Sequence, residues 1–301
     1  TMRTRGIRHE TSFYVFNFFA FVITGILALL CLLPFIIIIS GSFTSNMSIL
    51  KDGYSLFPKE FSTEAYATLF RYPETLLRAY GVTIGVTAIG TALGLLLISM
   101  TGYVLSRKDF VWRNKISFFI YFTSIFGGGV VPWYMMYTNV LHLKDSYLAL
   151  ILPSLMSPFL IILMRTFISS SVPDAVIESA KIDGAGDWRI YRSIVMPIAG
   201  PALATIGLFL ALGYWNDWYL SSMFITSPEK YQLQFYLYNM VNSAESMAQL
   251  AANNPNITVQ NLPTESVKMA MAVVATGPVF LFYPFVQKYF VSGITVGAVK
   301  G

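Results

Sequence analysis

Long apolar stretches alternate with short polar ones along this chain, and charge is almost confined to the polar ones. Phe13 to Ile39 carries no charged residue at all. Comparable runs follow at about 80–105, 116–137, 147–168, 197–219 and 267–290. Each approaches or exceeds the ~20 residues a helix needs to cross a bilayer core. Backbone polar groups in lipid must be bonded internally, so uncharged stretches of this length predict helices. They lack the alternation that marks a membrane barrel strand. The first run is longer than the ~7–15-residue apolar core of a signal peptide and has no small-residue cleavage site, which predicts a retained span. The expectation is an all-α membrane protein: six transmembrane helices forming a single domain over residues 1–301.

Composition narrows the class. Of 301 residues, 55% are hydrophobic and 12% charged. Soluble domains carry about 25% charged residues, so there are too few charges here to coat a water-exposed globule. Cys31 is the single cysteine. It cannot form an internal bridge, and it sits in an apolar run where a small hydrophobe fits. Thirteen of the 20 Lys and Arg residues fall on one side of the expected spans: the N-terminus, 107–115, 165–192 and the C-terminal tail. The excess predicts that this side, with both termini, is cytoplasmic. The net charge of +5 is then a topology signal. No basic stripe interleaved with exposed aromatics argues for nucleic acid.

Within the spans, small residues and helix breakers stand out. Gly81/Gly85 and Gly90/Gly94 are each spaced as GxxxG, with Ala88 and Ala92 between them. Such positions let helices approach closely in lipid, either within the chain or against another subunit. Gly127-Gly128-Gly129 followed by Pro132 predicts a break in the third span. Irregular backbone at membrane depth persists only inside protein or along a cavity. A static kink and a flexible element beside a pathway both fit. Pro153, Pro158, Gly277-Pro278 and Pro284 predict further irregularity. Outside the spans, Ser62 to Arg71 reads as a short amphipathic surface helix.

Catalytic patterns are missing. His9 and His142 both lie outside the spans, and no HExxH or CxxC occurs, so neither a metal site nor a metalloenzyme is expected. No GxxxxGKS or GxxxxGKT exists to cradle a nucleotide. No series of intramembrane carboxylates suggests a proton pump. Trp215-Asn216-Asp217-Trp218 closes the fifth span. Tryptophans there serve either as interface anchors or as flat faces beside polar groups that would meet a sugar.

The most informative segment is 171–195. Ser171 and Asp174 fit a capping box around Pro173. Val172, Val176, Ile177 and Ala180 predict one apolar face, and Asp183-Gly184 a left-handed helix end. Asp187 to Val195 predicts a second short helix. A polar-loop hairpin of this kind fits either a helix on lipid headgroups or one docking into a partner's groove.

Glu178-Ser179-Ala180, Asp183-Gly184-Ala185 and Met196-Pro197 resemble the EAA loop of ABC importer permeases. Ser179 stands where that family usually has Ala, and Met196 where it has Leu. Both departures are conservative in size. The resemblance covers the whole chain, including Val172-Pro173-Asp174, Trp215-Asn216-Asp217 and the tail Gly293 to Gly301, which resembles the maltose-type permease subunit. Phe126-Gly127-Gly128-Gly129 with Pro132 is similar to the branch that imports oligosaccharides from plant or algal polysaccharides. The resemblance implies a multi-pass protein of the bacterial cytoplasmic membrane that is not itself an enzyme. It implies a second homologous permease, two cytoplasmic ATPases that hold ATP and magnesium, and an extracytoplasmic solute-binding protein as partners. Glu178, Ser179, Ala180, Asp183, Gly184 and Ala185 would couple to the ATPase. Trp215, Asn216, Asp217 and Trp218, with Gly127, Gly128 and Gly129, would line a substrate pathway. A non-sugar solute, or a channel without an ATPase, are the alternatives.

Overall fold

The computed structural model describes residues 11–253 and 265–281. Among these the chain is all-helical, apart from one isolated bridge between Thr44 and Phe61. In order, the α-helices are α1 (Thr11–Ser42), α2 (Asn46–Asp52), α3 (Glu64–Leu69), α4 (Pro73–Ser106), α5 (Arg113–Ile125), α6 (Val130–Met135), α7 (Tyr147–Ile151), α8 (Pro158–Ser171), α9 (Asp174–Ile182), α10 (Asp187–Ile190), α11 (Met196–Ile198), α12 (Gly200–Trp215), α13 (Tyr219–Phe224) and α14 (Leu233–Asn253). A last helix, α15, covers 265–281. Two compact units result, one from 11–71 with the described part of 243–276, the other from 72–242 with 277–281.

Among the described residues two helices are long and apolar enough to cross a membrane unbroken, Phe13–Ser42 and Pro73–Ser106. Three further helix pairs meet the same requirement only together, each bent at a break, as in a broken span or a re-entrant loop. The expected third span is not one straight helix. Arg113–Ile125 and Val130–Val140 meet at 112°, and the bend falls on the glycine triplet. Gly129 there has φ +88°, a conformation side chains resist. Tyr147–Ser154 and Pro158–Ser171 meet at 46°, where Pro158 opens α8. Asp187–Ile198 and Gly200–Trp215 meet at 82°. Pro201 lies in the first turn of α12, where its missing N–H costs nothing. The sixth expected span begins within α15, and its residues 282–290 lie outside the described residues.

In the unit built on 72–242, α4 packs against α8 and α12. Its buried stripe is Leu76, Ala79, Thr83, Val86, Gly90, Gly94, Ile98, Gly102 and Leu105, at steps of three or four residues, one helical face. Ile84, Ile89, Leu93, Leu96 and Val104 point outward and are exposed. Tyr214 of α12 is almost fully buried and donates from its hydroxyl to the Ile151 carbonyl at 2.8 Å. Several polar groups in this core are paired, while Thr87 Oγ1, Thr91 Oγ1 and Asp217 Oδ2 are buried without a hydrogen-bond partner among the described residues. Ser221 donates to Gln232 at 2.8 Å, and the Leu233 N–H that opens α14 donates to Thr83 Oγ1 at 2.8 Å. Asp145, at φ +58°, accepts from the backbone N–H groups of Thr226 and Ser227, from the Ser227 hydroxyl and from Lys230. Lys230, then Ser227, hold its carboxyl well below the usual carboxylate range.

The other unit is wired around the end of α1. Phe43 stacks on Phe61 at 5.6 Å, and Tyr66 donates to Ser42 at 2.9 Å. Asn46 Oδ1 accepts from the Glu265 N–H at 2.9 Å and so caps α15. Asn46 is itself buried. The expected surface helix at 62–71 forms as α3.

Candidate functional site

The segment 171–195 forms α9, a turn and α10, continued by a π-helical turn over Tyr191–Val195, and its start differs from the sequence expectation. Ser171 is the last residue of α8 and does not cap α9. Pro173 decides this. It bars the α conformation from the residue before it, and Val172 is extended at φ −107°, ψ 106°. The chain turns at Val172-Pro173, so a cap at Ser171 would be a turn too early.

The far end of α9 is a Schellman turn. The Ala185 N–H donates to the Ala180 carbonyl at 2.9 Å and the Gly184 N–H to Lys181 at 3.0 Å. Gly184 has φ +77°, and a Cβ there would meet nothing within 4 Å. Backbone conformation, not space, is what requires glycine. Ile177 and Val172 are buried, and Ala180 and Ala185 pack beside the core. Val176 turns outward, against the expectation, because Ile177 takes the core-facing direction about 100° further round. Glu178 and Ser179 are exposed. The Ser179 hydroxyl folds back onto the Ala175 carbonyl at 2.9 Å, so it adds little outward bulk over alanine. Glu178 and Ile182, one turn apart, therefore share an outward face of α9, Ile182 being 86% exposed, and Val176 lies on a flank.

Sequence reasoning treated residues 107–109 only as loop charges. They bond to the hairpin. Lys108 pairs with Asp174 at the start of α9, and Asp109 with Lys181 in its last turn at 2.7 Å. Arg107 binds Asp109 through two guanidinium nitrogens at 3.0 and 2.7 Å and approaches Asp187 at 3.8 Å. Arg107 and then Lys181 hold the Asp109 carboxyl well below the usual range. The available signal was sign complementarity: plus, plus, minus at 107–109 against minus at 174, plus at 181 and minus at 187. Behind this, Tyr191 bonds Ser99 at 2.7 Å in a buried contact and lies 5.6 Å from the Tyr103 ring.

The four residues 215–218 take different environments. Trp215 is buried, with its ring 6.3 Å from that of Tyr80. Asp217 Oδ1 accepts from the N–H groups of Tyr219 and Leu220 at 3.0 and 3.1 Å, capping α13. Asn216 and Trp218 are exposed. Trp218 lies 5.0 Å from Tyr238, itself exposed, and Asn216 accepts from Gln234 at 3.4 Å. Tyr238 had no sequence signal, since α14 lay in what read as a loop. Gly127, Gly128 and Gly129 are exposed, and the structure does not bring them together with 215–218 in any contact described. Among the described residues no group of three His, Cys, Asp or Glu could hold a metal.

A helical membrane chain carrying such a hairpin belongs to a defined class. Residues 94–296 match the family described as binding-protein-dependent transport system inner membrane component, and this chain is a member of it. It is 37% identical over 278 residues to the polygalacturonan/rhamnogalacturonan transport system permease protein YtcP of Bacillus subtilis, covering 91% of this chain and 94% of that one. It is 28% identical over 298 residues to the arabinooligosaccharides transport system permease protein AraQ of the same organism, covering 98% and 100%. Its fold matches a chain in the crystal structure of a bacterial ABC transporter involved in the import of the acidic polysaccharide alginate. That match has a TM-score of 0.77, 30% identity, and coverage of 95% and 100%. The family is one of transport permeases and not a catalytic one.

Proposed function

We propose that this chain is a six-span permease subunit of a bacterial ATP-driven importer, with both termini and the 171–195 hairpin in the cytoplasm. Its cargo is an oligosaccharide cut from a larger polysaccharide. The hairpin carries the reading: a helix held by a left-handed glycine turn, with Glu178 and Ile182 facing outward, is suited to enter a groove on an ATPase. A second permease, two ATPases that bind ATP and magnesium, and an outer solute-binding protein complete the machine. Nucleotide-driven closure of the ATPases would swing the docked helix and tilt the spans between inward and outward states. The relatives' named cargoes support the sugar assignment. So do the exposed Trp218 and Tyr238 rings beside Asn216, an arrangement that suits a pyranose face and its hydroxyls. Trp215 is buried beside Tyr80.

The test is a pair of substitutions in the complete reconstituted transporter. Gly184→Val forces a branched side chain into φ +77° and should abolish uptake while membrane insertion persists. Gly184→Asn, which tolerates the left-handed region, should retain much of it. Equal activity of both variants with the native chain would refute the docking role. Sugar-stimulated ATP hydrolysis across galacturonate, arabinose and alginate oligosaccharides would assign the cargo.

A further inference from the structure

Residues 107–109 end α4 and begin the loop toward α5, yet each addresses a different point of the hairpin. Lys108 meets Asp174 at one end of α9, Asp109 meets Lys181 at the other, and Arg107 approaches Asp187 where α10 starts. α9 spans about 13 Å at 1.5 Å per residue, so two adjacent loop residues hold it at both ends. Arg107 connects this grip to α4. Its side chain is only 11% exposed, it donates to the Tyr103 hydroxyl at 3.0 Å, and its guanidinium lies 5.7 Å from the Tyr103 ring. Tyr103 is buried in the last turns of α4. A second, independent link runs from the hairpin through Tyr191 to Ser99 of α4.

The outer pairs of this network are solvent-exposed, Lys108 to 75%, and exposed ion pairs add little to stability. α9 is already anchored by Ile177. What the charges fix is register: sliding the loop by one residue sets like against like in either direction, Asp109 on Asp174 one way and Lys108 on Lys181 the other. We propose that residues 107–109 are a positioning clamp that makes the hairpin and the adjoining end of α4 move as one body. This rests on the reading of the hairpin as the ATPase-docking element. Asp109 is the central residue, since it binds Arg107 on the α4 side and Lys181 on the hairpin side. Without the clamp, movement of the docked helix would be taken up by bending at the loop instead of tilting α4.

The experiment uses the complete transporter reconstituted with its ATPases in a Cys31→Ser background. Spin labels are placed at Arg189→Cys on α10 and Val104→Cys on α4, both outward-facing, and their separation is read without nucleotide and after trapping with ATP and vanadate. The native distance should be the same in the two states. Asp109→Asn, Lys108→Asp and Asp174→Lys should each give a broader distribution that shifts on trapping. The Lys108→Asp/Asp174→Lys swap should restore invariance, which a merely structural role would not require. A native distance that changes on trapping, or single variants that keep it constant, would overturn the clamp. Crosslinking from Glu178→Cys in the same preparation separates the two readings. If it fails to reach the ATPase, the docking assignment is wrong. If it does reach the ATPase while the variants remain invariant, only the clamp is wrong.

Discussion

Two glycine pairs on α4 share one spacing and meet opposite surroundings. A Cβ at Gly90 would lie 2.5 Å from the Tyr214 ring, and one at Gly94 would lie 3.0 Å from Leu210 and 3.3 Å from the Leu155 carbonyl. At Gly81 and Gly85 it would meet nothing within 4 Å. The pairs are offset by nine residues, about two and a half turns at 3.6 residues per turn, and so face opposite ways. The GxxxG spacing therefore says only that backbone is bared on one face. What opposes that face decides whether the glycines are structural within the chain. Gly90 and Gly94 join the buried stripe at the α12 crossing. Gly81 and Gly85 belong to the other face.

Gly90→Leu should break this contrast most severely. The new side chain must displace a ring that is buried on all sides and tied by its hydroxyl to Ile151. Overpacking of this kind costs about 1–3 kcal/mol and more where nothing can yield. Thermal unfolding of the purified chain in detergent should show a large fall in midpoint. Shrinking the opposing residue, as Gly90→Leu with Tyr214→Ala, should recover part of it, the coupling expected of touching residues.

Gly102→Ala should follow. Its Cβ would lie 2.9 Å from Met164 Cβ and 3.1 Å from the Arg165 nitrogen. These atoms belong to the α8 backbone or stand next to it, so the two helices must separate. A loss of about 1–3 kcal/mol is expected in the same assay. Tyr214→Phe tests the crossing more gently. It removes the hydroxyl that bonds Ile151 and leaves the ring against Gly90, so the loss should be about 1 kcal/mol. If Tyr214→Phe were as damaging as Gly90→Leu, the hydrogen bond and not ring packing would define the crossing.

Much of this was legible beforehand, and the rest failed for identifiable reasons. The phase of the two pairs follows from residue numbers alone, but assigning the buried face needs the partner helix. The break at Gly127 to Gly129 was readable because three glycines and a proline oppose helix formation wherever they sit. Its 112° angle was not, since propensity says that a helix ends and not where the next one points. The Gly184 turn was readable because only one residue type takes that conformation freely. Ser171 misled because a capping pattern is weaker than the backbone demand of Pro173. The pairing of 107–109 went unread because loop charges serve first as topology counts, and their sign-complementary partners lie about 70 residues on. Of the candidate sugar contacts, Trp218 and Asn216 were named from their motif. Tyr238 emerged only when α14 placed it against Trp218.

The smallest effect is the most discriminating one. Gly81→Ala and Gly85→Ala add a methyl to open space and remove the flexibility that glycine contributes to the unfolded chain. In the isolated subunit each should be neutral or stabilise by about 0.4–1 kcal/mol, the opposite sign from every change on the Gly90 face. A loss of stability there would show that the outward face is also packed within the chain, and the contrast between the two pairs would collapse. If the isolated subunit gains stability but the assembled transporter loses it, the cost lies in assembly. That would mean the second pair makes its close approach to another subunit, and the same spacing would have been used twice on one helix, once for folding and once for association.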